Sequence, residues 1–248
     1  MTEETGLPDS VALLWGLRDT PRRGRKPSLT SADITRAAVG VADAEGLAAV
    51  SMAHVAQQLG RSTMALYRHV RSKDELLALM FDAAMEEPPE LPAGCDWRTG
   101  LTAWSHGVVA VHRRHPWLSR VPISGPPVGP RNLAWFDRAL GALAGTPLTE
   151  EEKVRVVLGL LTFINGEVRL AGDLAAGYED NPEAFSRAYS TALRRVVDPR
   201  RLPWLSRVVE AGVFDLDDLR AEEDADADFT FGLDVFLDGV AAHVARRG

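Results

Sequence analysis

The stretch Ser51–His69, SMAHVAQQLGRSTMALYRH, constrains this chain more than any other. Ser51 opens a short helical run to Leu59, Gly60–Arg61 interrupts it, and Ser62 opens a second run to Val70. Serine before such a run is a capping signal, and glycine after it is a stop. Two short helices joined by a tight turn make a helix-turn-helix, whose second helix fits the DNA major groove. Leu66, Val70, Val55 and Leu59 fall where the pair would bury its side chains.

The flanks extend the pattern. Thr30 and Asp33 fit a capping arrangement for a helix over 30–44, with Ile34, Ala37, Ala38, Val41 and Ala42 on one face and Gly46 at its end. Ser72 and Glu75 form a capping box for a helix reaching Met85, and Pro88, Pro89 and Pro92 close the module. Upstream, Val11, Leu14 and Trp15 share one face of a short docked helix. The prolined basic run Pro21–Pro27 is either a solubilising linker or an arm that enters the minor groove or follows phosphates.

Charge adds to this. Between Arg18 and Lys73 there are ten Lys/Arg and four Asp/Glu, on a chain whose net charge is −7. A basic module on an acidic body is either a local DNA footprint or a solvated basic surface. Cys95 is the only cysteine, so no intrachain disulfide forms. That composition, with no bilayer-spanning apolar run and no signal-peptide pattern, fits a cytoplasmic protein that does not enter a membrane.

The remainder also reads as helices: 96–114, 130–144, 150–173, 182–197, 202–211 and 225–246, with a Pro- and Gly-rich loop over 119–130. Thr149 and Glu152 make a further capping box, and Asn181–Pro182 is a cap followed by a first-turn proline. The expected fold is all-α: an extension and arm over 1–27, a helix-turn-helix domain over 28–85, and a larger helical domain over 86–248. The helix from Val154 to Ile164 is apolar nearly all round, and the last helix carries Phe229, Leu233, Phe236, Leu237, Val240 and Val244. Helices 150–173 and 225–246 either pair with those of a second subunit in a four-helix interface or are buried within one subunit.

Catalytic signatures are missing: there is no Gly-x-Ser-x-Gly, phosphate loop or dinucleotide fingerprint, so neither enzyme activity nor a cofactor is expected. His106, His112 and His115 cluster near Trp104 and Trp117, in a pattern that suits surface or core roles better than a metal site. Cys95, beside Asp96, has nothing to activate it.

From Leu29 to Met80 the chain resembles the TetR family of transcriptional repressors. The resemblance is carried by Gly46-Leu47, Val55-Ala56, Leu59-Gly60, Leu66-Tyr67-Arg68-His69-Val70 and Lys73-Asp74-Glu75-Leu76-Leu77. The stretch Phe231–Gly239 resembles the C-terminal domain of the branch nearest the tetracycline repressors. The resemblance implies a homodimer that sets one recognition helix per subunit into a palindromic operator. It also implies a small-molecule inducer that binds the body and changes the spacing of the heads. An activator or ligand-independent regulator with the same head, or a small-molecule enzyme or carrier, is the alternative.

On the recognition helix, Thr63, Met64 and Arg68 are placed to reach base edges. A guanidinium can bond guanine O6 and N7 together, Met64 suits a thymine methyl, and Ala65 is small enough for close approach. The resemblance places Ser51, Tyr67, His69 and Lys73 at phosphates. Ser51 and Ser62 would equally serve as N-caps, Tyr67 as a half-buried ring and His69 as a helix-end packing group. Some relatives carry a basic reader early in the first helix of the motif; here Ala53 and His54 stand there. In the body, Trp104, Trp135 and Phe163 would wall a ligand pocket, with His112, Asn165 and Glu167 as polar contacts, unless the rings are core and Glu167 is a paired charge.

Overall fold

The structure, a computed structural model, describes residues 9–17, 29–122, 128–181, 187–215 and 221–248. The arm 21–27 and Pro182 lie outside the described residues. The regular elements among them are all helical: α1 (Asp9–Leu14), α2 (Ser31–Glu45), α3 (Met52–Gln58), α4 (Thr63–Tyr67), α5 (Lys73–Met85), α6 (Trp97–Arg114), α7 (Pro130–Ala142), α8 (Glu150–Asp180), α9 (Arg187–Val196), α10 (Pro203–Glu210) and α11 (Ala221–Ala245). Short 3₁₀ turns cover Leu47–Ala49 and Pro116–Arg120. The protein is all-α, with a helix-turn-helix module ahead of a larger helical region. None of the described helices is long and apolar enough to cross a membrane.

The helices start where their caps dictate. Thr30 closes a full capping box with Asp33, and Asp96 accepts the Thr99 N–H at 2.8 Å. Both carboxyls are held below the usual range, Asp33 chiefly by the Thr30 side chain and Asp96 by the Thr99 backbone N–H. Three expectations need correction. α1 buries Ala12 and Leu13 and leaves Trp15 half exposed, its indole N–H bonded to the Val128 carbonyl at 2.9 Å. A helix of six residues offers one turn to its neighbour, and α1 packs on α5 through the other side. α8 runs on to Asp180, because Leu174, Ala175 and Ala176 carry the helix past 173 and no proline interrupts it before position 182. Glu75 reaches past its own N-cap to the Arg71 N–H at 2.7 Å, so the Ser72 box closes on one side only.

The chain divides into two compact units: Met1–Ile164 with His243–Gly248, and Asn165–Ala242. In the first, α2 packs on α5 and α3, α3 on α4, and α5 and α6 on α7. Its core includes Ile34, Leu66, Leu76, Met80, Leu101, Trp104, Leu143 and Leu160. Two α6 glycines admit close neighbours: a Cβ at Gly100 would lie 3.0 Å from that of Ala142, and one at Gly107 would lie 3.0 Å from Pro89 and 3.1 Å from the Trp135 ring. The C-terminus belongs to this unit through Glu152, which accepts from His243 Nε2 at 3.2 Å and from Arg247. In the second unit α9 packs on α10, and Phe229, Leu233 and Leu237 are buried. The 85/86 junction read from the sequence lies inside the first unit.

Candidate nucleic-acid interface

Helices of five and seven residues have too few internal hydrogen bonds to hold themselves, so α3 and α4 depend on their ends. Ser51 Oγ accepts from the His54 N–H at 3.1 Å, and Ser62 Oγ from the Ala65 N–H at 3.3 Å. Between the helices, Gly60 N bonds the Gln57 carbonyl and Arg61 N the Ala56 carbonyl. This double closure needs a left-handed residue, and Gly60 has φ 61°. The turn fixes the crossing of the two helices, and Val55, Leu66 and Val70 lock it from beneath with no exposed surface. Leu59, expected in the core, is half-buried and lines a shallow groove with Leu29, Asp33, Arg36, Ala37 and Arg61.

Burying Leu66 decides what faces outward. Met64 is 67% exposed and Tyr67 45%, with Ser62 and Arg68 exposed and Thr63, Ala65 and His69 half-exposed. Ser51 and Lys73 are exposed at the starts of α3 and α5. The structure therefore brings Ser62, Thr63, Met64, Ala65, Tyr67 and Arg68 onto one short element and its cap. That element is shorter than the sequence suggested. α4 ends at Tyr67 because the Leu66 carbonyl accepts from both His69 N and Val70 N at 2.9 Å, tightening the chain into a turn. Arg68 is thus the C-cap residue, and His69 lies past it. His54 turns back on the module, with Nδ1 3.2 Å from the Ala49 carbonyl and Nε2 3.4 Å from Glu45.

Behind the motif, two aspartates that sequence reasoning missed tie the head to the next helices. Asp43 on α2 accepts from Trp117 Nε1 at 2.6 Å and faces His115 Nδ1 at 2.7 Å. Asp82 on α5 is buried, and its Oδ1 accepts from Arg131 N at 3.1 Å, Asn132 N at 3.0 Å and Asn132 Nδ2 at 3.1 Å. It caps α7 from another helix, where the α7 N-cap residue, Gly129, has no side chain to do so. Nearby, Arg131 bonds the Ala83 carbonyl and Trp135 Nε1 the Met85 carbonyl. Glu86, paired with Arg114, ends α5 at φ 52° and ψ −160°, a conformation costing a non-glycine residue about 1–3 kcal/mol. The only sequence signal was a charge inside the apolar run Met80–Met85; its partners lie some fifty positions downstream.

The body candidates do not all gather. Trp104 and Trp135 meet edge to face with centroids 6.2 Å apart, each indole N–H bonding a backbone carbonyl. Both are buried, as is His112, whose Nδ1 lies 3.0 Å from the Val108 carbonyl. Phe163 is half-buried in the same unit, whereas Asn165 and Glu167, also half-buried, belong to the second. His106 is exposed, and His115 faces Asp43. Among the described residues, no group of three or more His, Cys, Asp or Glu side chains could hold a metal ion.

Residues 34–80 match the family model for bacterial regulatory proteins of the tetR family, and residues 88–244 that for the tetracyclin repressor-like C-terminal domain. The HTH-type transcriptional repressor DrrR1 of Streptomyces coeruleorubidus is 34% identical over 255 residues, which span 99% of this chain and 91% of DrrR1. The chain belongs to the TetR family. It is a DNA-binding transcriptional regulator, and the helix-turn-helix above is the family's reading head. The fold of this TetR-family regulator is also that of ActR from Streptomyces coelicolor. The ActR complex with actinorhodin superposes with a TM-score of 0.72 at 27% identity, covering 87% of this chain and 98% of ActR. The ActR complex with (S)-DNPA gives 0.70 at 27% identity, covering 88% and 100%.

Proposed function

We propose that this TetR-family regulator is a homodimeric repressor that a small molecule releases from a palindromic operator. One observation carries the DNA half. Around the fully buried Leu66, α4 presents a short polar and apolar edge, and the N-terminal part of such a helix reads bases in the major groove. Thr63, Met64 and Arg68 read base edges, and Ala65 permits close approach. Ser51, Ser62, Tyr67, His69 and Lys73 hold phosphates. The serines can cap and bind at once, because capping uses a lone pair and leaves the hydroxyl proton to donate. Arg68 at the C-cap reaches a base at the half-site edge rather than its centre.

The dimer forms through α8 and α11. Leu170 and Leu174 on α8, and Phe231 and Val235 on α11, are large apolar side chains at four-residue spacing, all exposed; Phe231 is 73% exposed. Apolar stripes of this kind mark association surfaces. The inducer binds the body, with Trp104, His112, Trp135 and Phe163 of the first unit as its candidate contacts. The ligand reading is supported by ActR, a relative of the same fold whose structures hold actinorhodin and (S)-DNPA.

The test is a selection of random duplexes by the purified protein, followed by a gel shift. The reading expects an inverted repeat, bound at physiological salt far more tightly than scrambled DNA, and a dimer by sedimentation. A monomer, or equal binding to selected and random duplexes, overturns it.

A further inference from the structure

The buried Asp82 is more than a stability device. α5 is a 13-residue helix that starts at Lys73, just after the recognition element, and carries Asp82 three residues before its end. The rise of a helix puts about 13 Å between them, and a straight helix moves as one rod. The head is carried at one end of that rod; Asp82 anchors the other, beside the bonds from Arg131 to the Ala83 carbonyl and from Trp135 Nε1 to the Met85 carbonyl. Three donors from the first turn of α7 converge on one oxygen of its carboxylate. The fit leaves no slack, since a Cβ at Gly129 would lie 2.1 Å from that same oxygen. Two of the donors are backbone N–H groups that α7 cannot satisfy internally. If α5 shifts, they lose their acceptor together, so the joint has a made state and a broken state with little between.

We propose that Asp82 is a positioning residue that locks α5 to α7 and thereby fixes the distance between the two recognition helices of the dimer. The proposal rests on the dimeric operator reading above. Asp82 touches no DNA; its effect on binding passes through the angle of α5. Ligand-driven movement of α7 would break the lock from the body side, and loss of Asp82 would mimic it.

The experiment uses the full chain and the operator selected by the wild-type protein. Affinity is measured for that operator, for versions with one base pair added or removed between half-sites, and for an isolated half-site. Wild type should prefer its native spacing by roughly tenfold or more, within the usual range of coupling between sites. Asp82→Ala and Gly129→Ala, which remove or displace the carboxylate, should flatten this preference to within about threefold while half-site affinity and salt slope stay unchanged, because no phosphate contact is lost. Asp82→Asn keeps an acceptor oxygen and should retain the preference.

A merely structural role would weaken every duplex alike and leave the spacing preference intact; that result in Asp82→Ala and Gly129→Ala overturns the inference. Equal flattening in Asp82→Asn overturns the acceptor account. If Asp82→Ala does not fold, Gly129→Ala and Asp82→Asn decide. If wild type selects no inverted repeat, the operator reading itself has failed and the inference falls with it.

Discussion

The reading head and the second compact unit solve opposite problems. The head is built of short helices closed locally: Thr30, Ser51, Ser62 and Ser72 cap α2, α3, α4 and α5, and Gly60 closes the turn. Around α4 its side chains divide cleanly: Val55, Leu66 and Val70 are fully buried, and Met64, Tyr67 and Arg68 are exposed on the recognition element and its cap. The second unit contains most of α11 and the later part of α8, helices whose apolar faces are only partly covered, with Leu170, Leu174, Phe231 and Val235 exposed. Trp204 on α10 is exposed as well, its ring covered on one side by the Arg207 guanidinium 4.7 Å away. A reader of DNA must hold its shape alone, because the groove supplies no core. The dimerisation surface proposed for the second unit would leave its core unfinished until a partner arrives.

That contrast is most sharply broken in the second unit. Replacing Phe231 and Val235 together by Asp should turn the proposed dimer into a monomer in sedimentation, with the head still folded. Operator affinity should then fall by about 10²–10⁴-fold, because two linked half-site contacts become one. A dimer that survives the double change would show that α11 is not the interface.

In the head, Leu66→Ala removes the side chain around which α4 is organised. The cost should be about 2–5 kcal/mol of stability, enough to melt a marginal module, seen as a lower denaturation midpoint with specific binding lost. Arg68→Ala should leave stability alone and cost about 1–3 kcal/mol, only at one base position. Lys73→Ala should instead weaken all sequences and lower the salt slope by about one. Equal losses on cognate and scrambled DNA for Arg68→Ala would move Arg68 to the phosphate group. Ser62→Ala tests both roles of that serine: the cap alone is worth about 1 kcal/mol in thermal melting, and any further loss on DNA measures the phosphate contact.

The smallest effect concerns the tie between the C-terminus and α8. The Thr149 backbone N–H, with Arg247 and His243, holds the Glu152 carboxyl down to about 2, below its ordinary 4.5. A carboxyl depressed in the folded state adds stability above its unfolded value. That stability should be lost as pH falls from about 4.5 toward about 2. Melting temperatures followed across that window should drop less steeply in Glu152→Gln than in wild type. Parallel curves would remove Glu152 from the acid response.

Most of the head was legible because its determinants are local. The N-caps Thr30, Ser51 and Ser62, the stop at Gly60 and the apolar spacing around Leu66 each act within a few residues, and each reappears in the structure as read. Where the reading slipped, something beyond the local pattern had chosen. α4 stops at Tyr67 because Val70 is drawn into the core, and α1 buries Ala12 and Leu13 because α5 lies on that side.

The sequence by itself determined an all-helical chain with a basic, self-capped reading head, since charge, caps and periodicity are written residue by residue. Only the tertiary structure decided that Asp43 and Asp82 join that head to the helices behind it. Neither carries a motif, and each takes its meaning from donors about fifty to seventy positions away that folding alone brings within hydrogen-bond distance.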